Sequence, residues 1–112
     1  MGEKHRVSFL TVQQTYNLNL ACKPFSRFGY GVYHVGSSLT KPDYHDVDLR
    51  CMMPDDEYDR LITLFTHDGM LFLNTAISSW VAARTGLPVD FQFQKASKAN
   101  AEFDGRRNSM GH

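Results

Sequence analysis

Residues 45–53 read HDVDLRCMM, a stretch in which polar and apolar side chains alternate. Successive side chains of an extended strand point to opposite faces, so Asp46 and Asp48 share one face. The opposite face then holds the apolar members Val47, Leu49 and Cys51. Such a two-residue period is typical of a strand with one face in a hydrophobic core and the other in water. We therefore expect a sheet with one carboxylate-bearing face.

Two more segments have strand character. Tyr30–Val35 is bounded by glycines, and Val89–Phe93 begins shortly after a helix stop signal. In the later segment, Asp90 lies on the polar face with Gln92 and Gln94, opposite the apolar residues. If this strand pairs in register with residues 45–53, Asp90 lies close to Asp46 and Asp48 on the same face of the sheet.

The first segment of helical periodicity runs from about Ser8 to Cys22. Its apolar residues recur at the spacing of one helix face. Ser8 is available as an N-cap, because its hydroxyl can accept a hydrogen bond from the first turn. Pro24 lacks a backbone N–H and should end this helix or start a short second turn.

Two further helices are expected between the second and third strands. Pro54 followed by three acids favours a helix start, since proline fits the first turn and acids complement the helix dipole. The triplet His67-Asp68-Gly69 interrupts the pattern, and a second helix follows over about residues 70–85. Gly86, with a proline two residues later, is a typical helix stop.

The order helix, strand, strand, two helices, strand predicts a small α/β (α+β) fold, a mixed sheet with helices packed on one face. We expect one domain, 1–112, with a polar tail from about residue 95 that is helical at first and mobile at its end. A formal net charge of zero gives no sign of general attraction to nucleic acid or membrane. No apolar run has membrane length, and Cys22 and Cys51 are interpreted as reduced core thiols, so a cytoplasmic location is expected.

The acids and the turn before them indicate one kind of chemistry. Convergent carboxylates repel each other unless a cation lies between them, and their hard oxygens suit Mg²⁺ or Mn²⁺. In Gly36-Ser37-Ser38, glycine lets a phosphate approach the backbone, while N–H groups and a hydroxyl donate to its oxygens. Each feature alone also has an ordinary structural explanation. Gly36-Ser37-Ser38 is compatible with a plain turn, and the acids are compatible with solvated strand faces.

In combination, Gly36-Ser37-Ser38, a short loop and Asp46-x-Asp48 on a strand resemble the DNA polymerase beta-type nucleotidyltransferase superfamily, in particular its minimal members. The resemblance covers about Tyr30 to Phe93. It implies that the turn binds the triphosphate of an NTP, that Asp46 and Asp48 ligate two divalent metal ions, and that Asp90 completes the catalytic site. The implied activity is transfer of NMP to a hydroxyl of a protein, an RNA or a small molecule.

The chain departs from the family pattern in three ways. The loop from Ser38 to His45 is shorter than usual, Arg50 stands where the family more often stays apolar, and the 112 residues hold no extra domain for a base or acceptor. By parity, Arg50 shares the carboxylate face, so it either neutralises phosphate or pairs with the acids. Two other hypotheses therefore stay open: a catalytically inactive nucleotidyltransferase-like module that binds or regulates, and an unrelated α/β domain with solvated acids.

Other polar residues near the turn have weaker assignments. His34 and His45 flank Gly36-Ser37-Ser38, and a structural histidine is the preferred interpretation of each, because no Cys or His pair has zinc-type spacing. Arg106-Arg107 in the tail is a candidate to cover a bound nucleotide.

Overall fold

The computed structural model describes residues 8–26, 30–102 and 107–111. In chain order, the elements are α1 Val12–Ser26, β1 Gly31–Val35, β2 Val47–Met53, α2 Asp55–Thr85, β3 Val89–Lys95, α3 Ala96–Glu102 and β4 Asn108–Met110. A short 3₁₀ turn, Ser37–Leu39, lies between β1 and β2. The three strands expected from the sequence are all present, and a fourth is added at the end.

The four strands form one mixed sheet in the order β3-β2-β1-β4. β1 pairs antiparallel with β2 and β4, while β2 and β3 are parallel. A parallel pair needs a long crossover, and α2 supplies it. This arrangement confirms the predicted small α/β (α+β) fold with a mixed sheet.

One face of the sheet is covered by α1 and α2. Apolar side chains from alternate strand positions pack there against both helices. The core cluster on this face includes Leu18, Cys22, Val47, Leu49, Cys51, Val81 and Phe91. Both cysteines are free and buried, as expected, and burial raises the pKa of each thiol to about 12.

The outer edge of β3 is capped by α2. The N–H of Phe91 donates to Ser78 Oγ at 2.8 Å, and the N–H of Phe93 donates to Asn74 Oδ1 at 3.2 Å. An edge strand with unpaired N–H groups is a template for pairing with another chain. These two side chains therefore satisfy donors that would otherwise face a further strand.

α1 begins and ends later than its sequence pattern predicts. Thr11 is the capping residue: Gln14 N–H donates to Thr11 Oγ1 at 3.0 Å, and Thr11 N–H donates to Gln14 Oε1 at 2.8 Å. This reciprocal pair is a capping box. The predicted cap, Ser8, instead accepts a hydrogen bond from the N–H of Leu10 at 3.2 Å.

Pro24 does not end α1, so the first of the two alternatives for this residue is wrong. The helix continues to Ser26. Near a helix C-terminus, proline removes one hydrogen bond without breaking a long ladder. The next residue, Phe25, packs its ring against Trp80 and Phe91, with centroid distances of 5.7 and 5.4 Å. We infer that these ring contacts outweigh the lost bond.

The interruption expected at His67-Asp68-Gly69 lies one residue earlier. Two helical segments meet within α2 at Thr66, which has φ 63° and ψ 174°. The acids of the first turn and the left-handed Gly86, with φ 72°, match the predicted start and stop signals. Although α2 spans 31 residues, no helix within the described ranges is both long and apolar enough to cross a membrane.

The end of the tail contains a short strand that the sequence did not predict. Residues 96–102 form α3, which confirms the helical start, whereas Asn108–Met110 form β4 beside β1. Met110 is only 5% exposed and joins the core cluster. A strand of three residues is too short to show a hydrophobic period, so the sequence pattern did not indicate it.

Candidate functional site

Asp48 and Asp90 lie side by side on the polar face of the sheet. In the parallel pair of β2 and β3, these two acids are register partners. Register partners on neighbouring strands project from the same face of a sheet. The strand pairing that was required to bring the two acids together is therefore present.

The Gly-Ser-Ser turn meets this acid pair at Gly36. β1 ends at Val35, which is the register partner of Asp48, so the chain leaves the sheet beside that carboxylate. Gly36 has φ 82° and ψ −160°, a conformation essentially restricted to glycine. A Cβ atom at Gly36 would overlap Asp48 Oδ2. Both the backbone conformation and the close approach therefore require glycine.

The two serines of the turn have different surroundings. Ser38 is fully buried, and its Oγ lies 2.5 Å from Nε2 of the buried His34. Burial lowers the pKa of His34 to about 4, which keeps its imidazole neutral at neutral pH. The Ser37 carbonyl accepts the N–H groups of Thr40 and Lys41 at 3.0 and 2.8 Å. Ser38 thus braces the turn, and the half-buried Ser37 is the serine better placed to meet a phosphate.

Asp46 lies one residue before β2 rather than on the strand. Its side chain is exposed, whereas the side chain of Asp48 is only 24% exposed. The negative charge of Asp46 nevertheless contributes to raising the pKa of Asp48. The structure therefore places two acids directly together and leaves the third at the rim, next to the exposed His45.

A guanidinium group lies beside the two strand acids. Arg50 Nη2 is 3.3 Å from Asp90 Oδ2 and 4.0 Å from Asp48 Oδ1. Arg50 Nη1 donates to the main-chain carbonyls of Leu49 and Asp90, each at 2.9 Å. The side chain is only 11% exposed. Of the two roles that the sequence left open for Arg50, pairing with the acids is the one that the structure shows.

Asp48 is the electrostatic centre of the group. Burial is the largest cause that raises its pKa; Arg50 opposes this shift, while repulsion from Asp90 and Asp46 adds to it. Burial and like charges both disfavour an ionised carboxylate, and a bound cation relieves both effects. The surroundings of Asp48 thus favour a cation nearby.

The donor set fits a hard divalent cation in charge and in chemistry. Asp48 and Asp90 present carboxylate oxygens from adjacent strands, and Asp46 adds a third negative charge. Within residues 8–26, 30–102 and 107–111, however, no group of three or more His, Cys, Asp or Glu side chains is arranged to hold one metal ion. The residues that would hold a metal ion at this place are therefore Asp48 and Asp90 of the strand pair, with Asp46 nearby at the rim.

Two further residues lie on the polar face: Tyr33, which was not predicted as part of the site, and Arg107, which the sequence suggested only as a candidate to cover a bound nucleotide. Tyr33 is the register partner of Arg50, and the guanidinium carbon of Arg107 lies 5.1 Å from the centre of its ring. Strand parity within β1 could have placed Tyr33 on this face, but Arg107 depends on β4, which had no sequence signal. Arg106, the other candidate to cover a nucleotide, lies outside the described residues.

An apolar cavity of about 410 Å³ lies elsewhere, between the end of α1, the first half of α2 and the core face of the sheet. It contains none of the predicted site residues. Its lining is Phe25, Tyr30, Cys51, Met53, Glu57, Arg60, Leu61, Leu64, Leu73 and Phe93. The predicted site residues that the structure describes therefore lie away from this cavity.

Comparisons with known proteins give no relative for this chain. No protein-family model, no curated protein and no solved structure matches it. The resemblance to the nucleotidyltransferase superfamily therefore rests on the residues named above and stays a prediction.

Proposed function

We propose that this chain is a metal-dependent nucleotidyltransferase that transfers NMP from an NTP to a hydroxyl of a protein, an RNA or a small molecule. One observation carries the proposal: Gly36 of the turn lies against the carboxylate of Asp48, the register partner of Asp90. In phosphoryl transfer, metal ions link protein carboxylates to phosphate oxygens, so a phosphate-binding turn must adjoin the acids. The contact at Gly36 supplies that adjacency.

The roles follow from these positions. Mg²⁺ or Mn²⁺ held by Asp46, Asp48 and Asp90 would neutralise triphosphate charge and polarise the α-phosphorus. The lack of a side chain at Gly36 lets the turn approach the carboxylate of Asp48, and the hydroxyl of Ser37 would donate to the phosphate oxygens. Asp90 has a side chain that is 40% exposed, so an acceptor hydroxyl can reach it from solvent. It would take the proton of the acceptor hydroxyl as that oxygen attacks the α-phosphorus and pyrophosphate leaves.

A second candidate function is a catalytically inactive module that keeps the nucleotidyltransferase-like fold for binding or regulation. The observation that favours it is the ion pairing of Arg50 with both Asp48 and Asp90. A guanidinium already gives these acids a positive partner, as a metal ion would in an active site. Metal-dependent binding of an NTP distinguishes the two candidates, because the active enzyme requires it.

The test of the proposed function is label transfer from each α-labelled NTP with Mg²⁺ or Mn²⁺. The acceptors to be offered are the protein itself, an RNA pool and small hydroxyl compounds. Asp48→Asn and Asp90→Asn should each lower transfer about 100-fold or more, because each removes a charge from the reacting centre. Asp68→Asn, which changes an exposed acid of α2, is the matched control and should leave transfer unchanged.

Two results would contradict the proposal. Unchanged labelling in Asp48→Asn would show that the transfer does not use this site. If titration calorimetry of the wild-type chain detects no metal-dependent NTP binding and no label is transferred, the second candidate is favoured.

A further inference from the structure

We infer that Arg50 is an internal counter-ion that holds Asp90 in place and competes with a divalent cation for the Asp48–Asp90 pair. The inference rests on the proposed function, since it concerns the metal-binding acids of the same site. It adds a positioning residue to the site and predicts how strongly the site binds a metal ion before a nucleotide arrives.

The first support is the way Arg50 is anchored. Its two terminal nitrogens bind the side chain of Asp90 at 3.3 Å and the main chain of Asp90 at 2.9 Å. A second main-chain bond, to the carbonyl of Leu49 at 2.9 Å, ties the same group to β2. Because guanidinium is planar and its donors are fixed in direction, these bonds restrict where the Asp90 carboxylate can point. A lysine in this position presents all its donors from one nitrogen and lacks the planar fork that holds the Asp90 carboxylate and main chain together.

The second support is the sum of charges. Asp46, Asp48 and Asp90 carry three negative charges and Arg50 one positive charge, which leaves −2. One divalent cation balances that charge. Removing Arg50 changes the balance to −3 and should strengthen cation binding in the absence of nucleotide.

The third support is the limited exposure of the pair. The Arg50 side chain is 11% exposed and that of Asp48 is 24% exposed. Charges that are partly removed from water interact more strongly and are less screened by salt than surface pairs. The competition between Arg50 and a metal ion should therefore be measurable, unlike that of a solvated surface arginine.

The experiment is titration of Mn²⁺ into the nucleotide-free protein, by calorimetry or electron paramagnetic resonance. Arg50→Gln should bind Mn²⁺ roughly tenfold more tightly than wild type, because a competing cation is gone. Arg50→Lys keeps the charge and should bind Mn²⁺ close to the wild-type affinity. Arg60→Gln is the matched control, since it removes a charge from a side chain that is 73% exposed and, among the residues that the structure describes, forms an ion pair with Glu57 alone.

A measurement on the wild type covers the case in which Arg50→Gln fails to fold. The guanidinium N–H signals of Arg50 in ¹⁵N NMR should shift or broaden when diamagnetic Mg²⁺ is added, because the acids exchange one partner for another. Unshifted signals in a protein that binds Mg²⁺ would overturn the inference.

The outcomes separate this inference from the proposed function. Equal Mn²⁺ affinity in wild type and folded Arg50→Gln overturns the counter-ion role and leaves the proposed function standing. Binding in Arg50→Gln but none in wild type supports the counter-ion role, and metal-dependent NTP binding by the wild type then decides the proposed function. No Mn²⁺ binding in either protein overturns the counter-ion role, and the label-transfer assay decides the proposed function.

Discussion

The two faces of the sheet are built from the same strands and differ in what covers them. On the face toward α1 and α2, residues such as Val47 and Phe91 are at most 1% exposed. On the other face, charged residues alternate with them along β2, and they are not simply solvated. Asp48 and Arg50 have side chains only 24% and 11% exposed. An ordinary wet face would leave such groups in water.

This difference shows that the polar face, unlike the apolar packing against the helices, contains an electrostatically unfavourable arrangement. Apolar burial on the helix side stabilises the fold directly. Partial burial of Asp48 beside two other acids does the opposite, as the upward shift of its pKa indicates. Groups held in such surroundings are concentrated at functional sites, although structural ion pairs also produce them. The comparison therefore predicts that removal of the Asp48 charge affects function and stability in opposite directions, whereas a change that distorts the turn beside it lowers both.

The largest expected effect is that of Gly36→Ala, where the turn meets the polar face. A side chain there must adopt a glycine-only conformation and also displace Asp48 Oδ2. Strain and overlap together should lower the free energy of unfolding by about 4 kcal/mol. Urea denaturation monitored by circular dichroism measures the loss, and NTP binding should fall with it.

The matched control for this change is Gly86→Ala. Gly86 also has a positive φ, 72°, but a Cβ there meets no atom within 4 Å. The control should therefore lose only the left-handed penalty of about 1 kcal/mol. In an Asp48→Ala background the Gly36→Ala cost should drop, because the overlapping oxygen is gone. Equal costs in both backgrounds would show that the contact with Asp48 has no energetic role.

The next effect concerns His34, a polar residue that lies on the core face. Its pKa is lowered from 6.5 to about 4 by burial, so the unfolded chain binds a proton at higher pH than the folded one. Stability is therefore fully present above pH 6.5 and is lost as pH falls toward 4. The loss should reach about 3 kcal/mol. Denaturation curves collected across that pH range measure it.

Replacement of His34 by glutamine is the control for this pH dependence. Glutamine can still hydrogen-bond Ser38 but does not titrate, so the slope between pH 6.5 and 4 should become shallower. If the slope is unchanged, another group causes it and His34 is not the acid-sensitive brace of the turn.

The sequence predicted the faces of the sheet better than the ends of its elements. Side-chain alternation in residues 45–53 depends only on extended backbone, so it correctly assigned Asp48 and Arg50 to one face and Leu49 to the other. The same alternation could not predict the parallel register of β2 with β3, because that register depends on how α2 crosses the sheet. Pro24 within α1 and the addition of β4 depend on tertiary contacts of Phe25 and Met110, which no local pattern contains.

The candidate site was predictable only in part, for a related reason. Its acids and turn were found from residue type and spacing, but the contact of Gly36 with Asp48 requires the antiparallel pairing of β1 with β2. Tyr33 was placed beside Arg50 by the same pairing. Asp46 was expected on the strand and lies just before it, since the pattern of alternation does not say where pairing with the neighbouring strand begins.

The smallest expected effect has the opposite sign and tests the comparison most directly. Asp48→Asn removes a partly buried charge that is repelled by two neighbours, while Arg50 keeps its bonds to Asp90. The variant should gain about 1 kcal/mol in free energy of unfolding at neutral pH while losing metal binding.

The pH dependence of this gain follows from the pKa of Asp48. Because that pKa is raised in the folded state, ionised Asp48 destabilises the fold only as pH rises through that pKa. The gain over wild type should therefore shrink as pH is lowered and Asp48 becomes protonated. Urea denaturation of both proteins at neutral and acidic pH measures the difference, and both contain His34, so its titration cancels. A variant that is less stable than wild type at neutral pH would show that Asp48 stabilises the fold. Both faces of the sheet would then contribute to stability, one through apolar contacts and the other through charged groups.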